Sequence, residues 1–217
     1  MADFRQDFFR FATAQRALAF GDFVTKAGRP SPYFFNAGMF STGAALAELC
    51  GFYAKAIAAA GLHYEVIFGS AYKGIPLAAG VAMTLARAGR DVPFCFNRKE
   101  AKDHGEGGVV VGAPLAGRVL IIDDVISAGT SVRESVDIIR RHHAEPCGVA
   151  IALDRMERGT SEASAAQEVE QTYGIPVIAI ATLDDLIAFV RADARYSSHV
   201  EAVLAYRNRY GVATNAP

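Results

Sequence analysis

The chain has 217 residues, 52% of them hydrophobic and 21% charged. This length exceeds the roughly 150 residues typical of one domain but is short for two, so we expect one folded domain with a sizeable core, and the composition excludes intrinsic disorder. The 22 basic and 23 acidic side chains leave a net charge of -1, which excludes a generally basic nucleic-acid surface. We therefore expect no nucleic-acid partner, and any anion site must be local.

No targeting or membrane segment is indicated near the start of the chain. The stretch MADFRQDFFRF carries acidic side chains and no long apolar run. Apolar runs such as 175–181 are far shorter than the roughly 18 residues that a spanning helix needs. Three cysteines, Cys50, Cys95 and Cys147, form no CxxC pair, which favours reduced core thiols over a disulfide framework or a zinc site. The sequence thus predicts a soluble, cytoplasmic protein with no membrane partner.

Short β-branched or aromatic runs recur along the chain, with helical stretches between several of them. Strands are predicted at 64–68, 93–97, 109–111, 118–122, 147–153 and 175–180. Helices are predicted near 3–18, 43–60, 74–88, 131–143, 162–173, 183–192 and 198–209. Because strands buried on both faces and separated by helices are typical of parallel sheets, the pattern predicts an α/β fold with a mostly parallel sheet.

Residues 20–40 follow neither a helix nor a strand pattern. Their sequence, FGDFVTKAGRPSPYFFNAGMF, mixes glycines and prolines with several aromatic side chains and one isolated lysine, Lys26. We interpret this segment as a small N-terminal cover over the α/β body, with weak short strands. An ordinary structured loop is the alternative.

The most informative segment is 118–131, RVLIIDDVISAGTS, where an apolar strand leads into two adjacent carboxylates and then a loop of small residues. Asp123 and Asp124 repel each other and are costly to bury together unless hydroxyls, a cation or amides meet them. The loop Ser127–Ser131 lets N–H groups and hydroxyls converge at a helix N-terminus, where the helix dipole favours an anion. The acids can then accept hydrogen bonds from a sugar diol while the loop holds a phosphate.

The alternative for an isolated pair of aspartates is that Asp123 caps a helix and Asp124 forms a surface ion pair. The strand before the pair and the Gly/Ser/Thr loop after it favour ligand binding. The segment is not a P-loop, because the nearest glycine spacing, GSAYKG at 69–74, is followed by Ile75 and completes no GxxxxGK[ST] motif. No GxGxxG dinucleotide fingerprint is present either.

The segment 96–108, FNRKEAKDHGEGG, concentrates charge and ends in glycines. It is either a solvated, mobile hairpin or a loop that closes over a ligand, with its basic side chains on a diphosphate. A second candidate anion site is 69–73, between a predicted strand and helix, where amides and Lys73 could bind. The alternative there is that Tyr72 is a packing residue and Lys73 a surface charge.

The acidic pair and the S-A-G-T loop after it resemble the binding motif for phosphoribosyl diphosphate (PRPP) of type I phosphoribosyltransferases. Within that family the chain is similar to bacterial orotate phosphoribosyltransferases, at GSAYKGIPLA (69–78), FNRKEAKDHGEGG (96–108), SPYFFNAG (31–38) and LDRMERG (153–159). The resemblance covers nearly the whole chain. It implies one domain over 1–217 with a doubly wound, mostly parallel sheet, in which residues 1–40 form a small hood over the base site.

This resemblance also implies a function and roles for individual residues. The reaction would transfer the phosphoribosyl group of PRPP to orotate with Mg²⁺, giving orotidine 5'-monophosphate and pyrophosphate for pyrimidine synthesis. PRPP would be bound by Lys26, Tyr72, Lys73, Arg98, Lys99, Lys102, His104, Asp123, Asp124, Val125, Ile126, Ser127, Ala128, Gly129, Thr130 and Ser131. The catalytic residues among them would be Lys99, Lys102, His104 and Asp124. A cis peptide bond is implied in the 69–73 turn, and a homodimer in which loop 96–108 completes the neighbouring subunit's site.

Orotate is a flat anion that favours stacking and charge-paired hydrogen bonds. The resemblance places it against Phe34, Phe35, Ser127 and Arg155, the arginine facing the orotate carboxylate. The alternatives are core packing for one of the two phenylalanines and, for Arg155, a strand-end ion pair with Asp154 or Glu157. Lys26 could equally be a surface lysine.

Two other functions share the PRPP motif. One is a purine or uracil phosphoribosyltransferase with a different base pocket, and the other is a non-catalytic PRPP-sensing regulator. The lack of a basic surface argues against the regulator, and the intact basic segment at 98–104 favours catalysis.

Overall fold

The computed structural model of the chain describes residues 3–25, 28–102, 108–127, 129–159 and 161–212, and for residues 100–102 it describes the backbone alone. The helices in this part of the chain are α1 (Phe4–Ala14), α2 (Gly43–Ala60), α3 (Gly74–Arg87), α4 (Thr130–Arg141), α5 (Ala165–Tyr173), α6 (Leu183–Ala192) and α7 (Val200–Tyr210). The strands are β1 (Leu18–Val24), β2 (Pro30–Phe35), β3 (Val66–Gly69), β4 (Phe94–Lys102), β5 (Gly108–Gly112), β6 (Arg118–Ile122), β7 (Glu145–Asp154) and β8 (Val177–Thr182).

Six of the strands form one sheet in the order β5-β4-β3-β6-β7-β8. All neighbours pair in parallel except β4 and β5, which form an antiparallel edge. The strand that carries the acidic pair, β6, lies between β3 and β7 near the centre of the sheet. The carboxyl ends of β3 and β6 therefore meet at one edge, where open α/β sheets bind ligands. The predicted α/β class with a mostly parallel sheet is confirmed.

Helices cover both faces of this sheet, because successive side chains of a strand point to opposite faces. Along β6, Leu120 and Ile122 face a first core, which also takes in residues of α1, α2, α3, α6 and α7. Val119 and Ile121 face a second core with α4 and α5. Burial of each such side chain stabilises the fold by roughly 1.5–3 kcal/mol relative to an exposed one. Apolar residues throughout the strand are thus explained by cores on both sides.

The N-terminal segment forms a separate antiparallel hairpin of β1 and β2, followed by a short 3₁₀ turn at Ala37–Met39. This matches the predicted short strands in residues 20–40. Alternate residues of β2 face the body of the protein: Tyr33 is buried, Phe35 packs against the first core, and Phe34 between them is exposed. The role of this hairpin as a hood over the base site stays a prediction.

Several element boundaries differ from the predicted ones for local reasons. The helix predicted over 3–18 ends at Ala14, because Arg16 adopts a positive φ of 58° and turns the chain into β1. The helix predicted over 162–173 begins at Ala165, because Ser164 caps it in a reciprocal capping box. The prediction for 43–60 is confirmed: Thr42 caps α2, and Gly61 ends it in the left-handed conformation.

The basic segment 96–108 begins as a strand rather than a loop. The strand predicted at 93–97 runs to Lys102, where it pairs with Gly108 of β5. The described part of the segment is therefore one arm of a long hairpin at the edge of the sheet. Residues 103–107 lie outside the described residues.

All three cysteines are buried and form no disulfide, as the sequence predicts. Burial raises the pKa of Cys50 and Cys95 to about 12 and that of Cys147 to about 11, so these thiols stay protonated at neutral pH.

One described helix, α2, is long and apolar enough to cross a membrane by length and composition alone. Its apolar residues, including Leu49 and Ile57, pack in the first core, and core helices commonly have this composition.

Candidate active site

The acidic pair follows β6 directly, and both aspartates are buried, with 6% and 7% of their surface exposed. Backbone hydrogen bonds tie them to the neighbouring strand: Asp123 N donates to Ala150 O over 3.0 Å, and Ala152 N donates to Asp124 O over 2.8 Å. Asp123 Oδ1 accepts from Asp124 N over 2.9 Å. The backbone of both aspartates and the carboxylate of Asp123 are therefore held in place at the carboxyl end of β6.

The two carboxylates differ in their electrostatic surroundings. Burial raises the pKa of Asp123, and the hydroxyls of Ser131 and Ser70 partly offset this. Asp124 instead has a cation beside it, because Lys73 Nζ lies 2.6 Å from Asp124 Oδ2. Neither alternative for an isolated pair holds fully. Gly129 precedes α4 as its N-cap and no side chain caps the helix, so Asp123 does not cap it. The ion pair of Asp124 is with another predicted PRPP residue.

Lys73 reaches Asp124 because the turn after β3 packs tightly on the end of β6. A Cβ atom at Gly74 would lie 2.4 Å from Ile122 O, and one at Gly69 would lie 2.5 Å from Gly74 O. These glycines permit the close approach, in which Ser70 N donates to Ile122 O over 3.3 Å. The peptide bond Ala71–Tyr72 in this turn is cis, which confirms the prediction made from the resemblance.

Side chains of the turn and of β4 converge beside the acidic pair. Tyr72 is 68% exposed, so its alternative as a packing residue is wrong. The ammonium of Lys99 lies 5.6 Å from the centre of the Tyr72 ring. On the same strand Arg98 Nη1 is buried without a hydrogen-bond partner among the described residues. Since a buried N–H donor without an acceptor is costly, this group suits an anionic ligand.

The loop from Val125 to Gly129 leads into α4, whose first turn lies beside the acidic pair. Gly129 adopts a positive φ of 68°, which a glycine accommodates without a steric penalty. Ile126 packs against the second core, while Ser127 and Thr130 are exposed. The N–H groups of the first turn have no side-chain cap, and together with the helix dipole they form a site suited to a phosphate.

Four predicted PRPP residues lie wholly or partly outside the described part of the chain. Lys26, His104 and Ala128 are not described, and of Lys102 only the backbone is described. Their roles stay predictions from the resemblance.

Arg155 follows β7, and its guanidinium is oriented by groups from three parts of the fold. Nε lies 2.5 Å from Glu157 Oε1, while Nη2 donates to Ser31 Oγ over 3.1 Å and to Tyr206 Oη over 3.2 Å. The guanidinium also lies 4.3 Å from the centre of the Tyr33 ring. The predicted alternative of a strand-end ion pair is thus present with Glu157. These contacts also hold the guanidinium in one orientation.

The two phenylalanines of β2 have different environments. Phe35 packs against the first core, with its ring 6.2 Å from Phe8 and 6.4 Å from Phe40. Phe34 is 45% exposed and stacks on Phe23 at 5.5 Å. As predicted, one of the pair serves core packing, and Phe34 is the one that presents an exposed ring.

Some residues of this site gave no functional signal in the sequence. Tyr53 reads as an ordinary core residue of α2, yet its hydroxyl donates to Asp123 O over 2.7 Å. Asn97 Oδ1 accepts from Ala71 N over 2.8 Å, and a buried amide at the end of the apolar run PFCFN is the signal that could have identified it. Tyr206 could not be placed near Arg155 without the tertiary structure, whereas Glu157 was one of the ion-pair partners that the sequence offered.

The chain matches the family model for the phosphoribosyl transferase domain over residues 38–180. Among curated proteins it is 65% identical to the orotate phosphoribosyltransferase of Laribacter hongkongensis, over 98% of this chain and 100% of that protein. It is 63% identical to that of Chromobacterium violaceum, over 98% and 99%. Among solved structures, the orotate phosphoribosyltransferase of Francisella tularensis superposes with a TM-score of 0.86 at 40% identity, covering 94% of this chain and 99% of that one.

Proposed function

We propose roles for the residues of this site from the premise that the chain belongs to the orotate phosphoribosyltransferase family. The chain transfers the 5-phosphoribosyl group from PRPP to orotate, giving orotidine 5'-monophosphate and pyrophosphate in pyrimidine synthesis. Displacement at the anomeric carbon develops positive charge on the sugar and negative charge on the departing diphosphate. Catalysis of such a step is mainly positioning and electrostatic stabilisation, so each residue is assigned by the charge it meets.

The contact between Lys73 and Asp124 is the observation that supports the PRPP assignment most directly. It joins two segments that the sequence separates by about fifty residues, and both resemble PRPP-binding motifs. In the described structure Lys73 balances the charge of Asp124. We assign the ribose hydroxyls to Asp123 and Asp124, which accept hydrogen bonds. When the ribose diol occupies the Asp124 oxygens, it replaces Lys73 there, and the ammonium of Lys73 becomes available to bind the diphosphate.

The phosphate and diphosphate groups of PRPP fit two different places. We assign the 5'-phosphate to the loop 125–131, where the first N–H groups of α4 have no side-chain cap. The diphosphate is assigned to Arg98, Lys99 and Tyr72, because Arg98 carries a buried, unpaired donor. Lys102 and His104 join this group through the resemblance alone. Cations at this place stabilise the charge that develops on the leaving group.

Orotate is assigned to the side of the site formed by β2 and the end of β7. The planar fork of Arg155 matches a carboxylate, and its contacts with Ser31, Glu157 and Tyr206 orient it in advance. Phe34 offers an exposed ring for stacking, and Ser127 an exposed hydroxyl for the polar edge of the base.

We also propose Mg²⁺ as the cofactor. No cluster of three His, Cys, Asp or Glu side chains suitable for a metal occurs among the residues described. Two adjacent carboxylates without further ligands suit an ion that keeps most of its waters and is held chiefly by substrate phosphates, as Mg²⁺ commonly is. When bound, the ion neutralises charge on the diphosphate.

From the resemblance we propose a homodimer in which the partner's 96–108 segment completes each site. The hairpin of β4 and β5 lies at the edge of the sheet, a position from which it can contact a second subunit. We further propose a cytoplasmic location, which the reduced state of the three cysteines supports.

The loss of orotate absorbance in the ultraviolet tests the reaction directly. We expect it only when purified protein, orotate, PRPP and Mg²⁺ are all present. Reactions without PRPP, or with EDTA in place of Mg²⁺, serve as controls. Consumption of uracil or a purine in place of orotate would contradict the assignment of the base, and binding of PRPP without any turnover would favour a regulator.

A further inference from the structure

The backbone at the acidic pair departs from regular parallel pairing. In a regular parallel ladder, the N–H and C=O of one residue bond the two residues that flank its partner on the next strand. Asp123 N donates to Ala150 O, so Asp123 O should accept from Ala152 N. Ala152 N donates instead to Asp124 O. The chain at Asp123 and Asp124 therefore contains one residue more than the ladder with β7 accommodates, as in a β-bulge. The Asp123 carbonyl consequently has no hydrogen-bond partner on β7.

The hydroxyl of Tyr53 supplies the missing donor. Tyr53 lies on α2, is fully buried, and donates to Asp123 O over 2.7 Å. Burial raises the pKa of Tyr53 well above its usual value, and the charges of Asp124 and Asp123 raise it further. The hydroxyl therefore keeps its proton at neutral pH and remains a donor.

We propose that Tyr53 is a positioning residue for PRPP binding, which holds the irregular backbone of Asp123 and Asp124 in the register that presents both carboxylates to the ligand. This role rests on the proposed assignment of the acidic pair to PRPP. A phenylalanine ring would fill the same space without the hydrogen bond. The proposed role therefore belongs to the Tyr53 hydroxyl and is distinct from the packing of its ring in the core.

A change of register would have a specific consequence. Without the Tyr53 hydroxyl, the Asp123 carbonyl is buried without a donor, and regaining Ala152 N restores the regular ladder. Because side chains alternate along a strand, a shift of one residue reverses the faces of the two carboxylates. Asp124 would then turn away from Lys73, which it contacts at 2.6 Å.

The test compares Tyr53→Phe with Tyr64→Phe. Tyr64 is also buried, but its hydroxyl has no hydrogen-bond partner among the described residues. This residue precedes β3, whereas the turn that carries Lys73 follows that strand. The two substitutions remove the same atom, and only the first removes a hydrogen bond. Titration calorimetry gives the Kd of PRPP, and steady-state kinetics at saturating PRPP give the KM of orotate.

For Tyr53→Phe we expect the Kd of PRPP to rise about 3- to 10-fold, as for the loss of one hydrogen bond, with the KM of orotate unchanged. Tyr64→Phe should leave both constants as in the wild type. Reversible unfolding would also raise the apparent Kd of PRPP, so both variants are titrated well below their melting temperatures, where the folded fraction is close to one. Equal PRPP affinity in the two variants, or equal loss for PRPP and orotate in Tyr53→Phe, would overturn the role of Tyr53. Failure of the wild-type protein to bind PRPP would overturn the proposed function as well.

Discussion

At the scale of single residues, Asp123 and Asp124 show how neighbours of one type acquire different properties. Asp124 is balanced by the ammonium of Lys73, whereas burial dominates at Asp123 and raises its pKa. A buried carboxylate of this kind costs stability in exchange for a fixed hydrogen-bond acceptor. The cost should therefore be measurable as a pH dependence.

The substitution Asp123→Asn should change how stability depends on pH. The pKa of Asp123 in the folded state lies above the unfolded value of about 4. Protonation of Asp123 therefore stabilises the folded state fully below about pH 4, and this contribution is lost as the pH rises through the folded pKa. Asparagine does not titrate. The free energy of unfolding of the variant, minus that of the wild type, should thus increase as the pH rises from about 4 towards neutrality.

Urea unfolding at a series of pH values measures this difference. Asp137→Asn, which changes an exposed acid on α4, is the matched control and should give a nearly constant difference. A difference for Asp123→Asn that falls with rising pH would show that hydrogen bonds to the charged form outweigh burial.

Arg155 is the residue on which the orotate assignment depends. Arg155→Ala should raise the KM of orotate about 10- to 150-fold, the loss expected for a hydrogen bond between charged groups, with a much smaller change in the Kd of PRPP. Arg195→Ala, which removes an exposed arginine paired with Asp193, is the control. Equal losses for both ligands, or a loss confined to PRPP, would place Arg155 outside the base site and leave it the strand-end ion pair seen with Glu157.

At the scale of elements, the site depends on how closely the turn after β3 packs on β6. Gly74 has no room for a side chain, since a Cβ would lie 2.4 Å from the carbonyl oxygen of Ile122. Backbone at that position cannot yield as a flexible side chain would. The contact between Lys73 and Asp124 therefore depends on a glycine as well as on the two charged residues.

Gly74→Ala should separate the turn from β6 and weaken both stability and PRPP binding. We expect a loss of about 1–3 kcal/mol in the free energy of unfolding, as for other overpacked sites, together with a raised Kd for PRPP. Gly51→Ala in α2 is the control: nothing lies within 4 Å of its added Cβ, and alanine favours a helix. Thermal unfolding and calorimetry on both variants measure the effects, and a Gly74→Ala protein that binds PRPP normally would show that the close approach is not needed.

At the scale of the whole molecule, the two cores fix the sheet, and the sheet fixes where its strand ends meet. The hairpin of β4 and β5 lies at one edge of that sheet, and among the described strands β5 pairs with β4 alone. An edge hairpin is the part of this fold that can extend toward another subunit, as the proposed dimer requires.

Mixing two inactive variants tests the shared site. Lys102→Ala alters the basic segment, and Asp124→Asn alters the acidic pair. If each site combines the segment of one chain with the acidic pair of the other, a mixed dimer has one site with both defects and one with neither. With random equal exchange, half of the dimers are mixed and half of their sites are intact, so about a quarter of wild-type activity should return.

Subunit exchange must be demonstrated separately, for example by mass spectrometry of differently tagged chains. Activity that stays absent although mixed dimers form would show that each segment acts within its own chain. In that case every site in the mixture carries one defect.

The sequence alone determined the α/β class and most elements, and it identified the segments to which we assign PRPP binding. Apolar runs without alternation indicate strands buried on both faces, and an acidic pair between such a run and a Gly/Ser/Thr loop has few structural uses. Signals of this kind are local, because strand burial, helix capping and loop composition each depend on residues close together in the chain. The predicted bounds of α2 are correct because Thr42 and Gly61 cap that helix, and α5 begins later than predicted because Ser164 caps it. Capping residues therefore set these helix ends.

Which side chains meet across the fold could be seen from the three-dimensional arrangement alone. Tyr53 bonds the Asp123 carbonyl, Lys73 pairs with Asp124, and Tyr206 orients Arg155, and each of these contacts joins residues from separate elements. Their partners are set by the packing of helices and turns on the sheet, and a tyrosine in a helix has the same local pattern whether its hydroxyl is used or idle. Contacts between distant residues depend on the folded geometry as a whole, so the chain order that revealed the motifs could not reveal them.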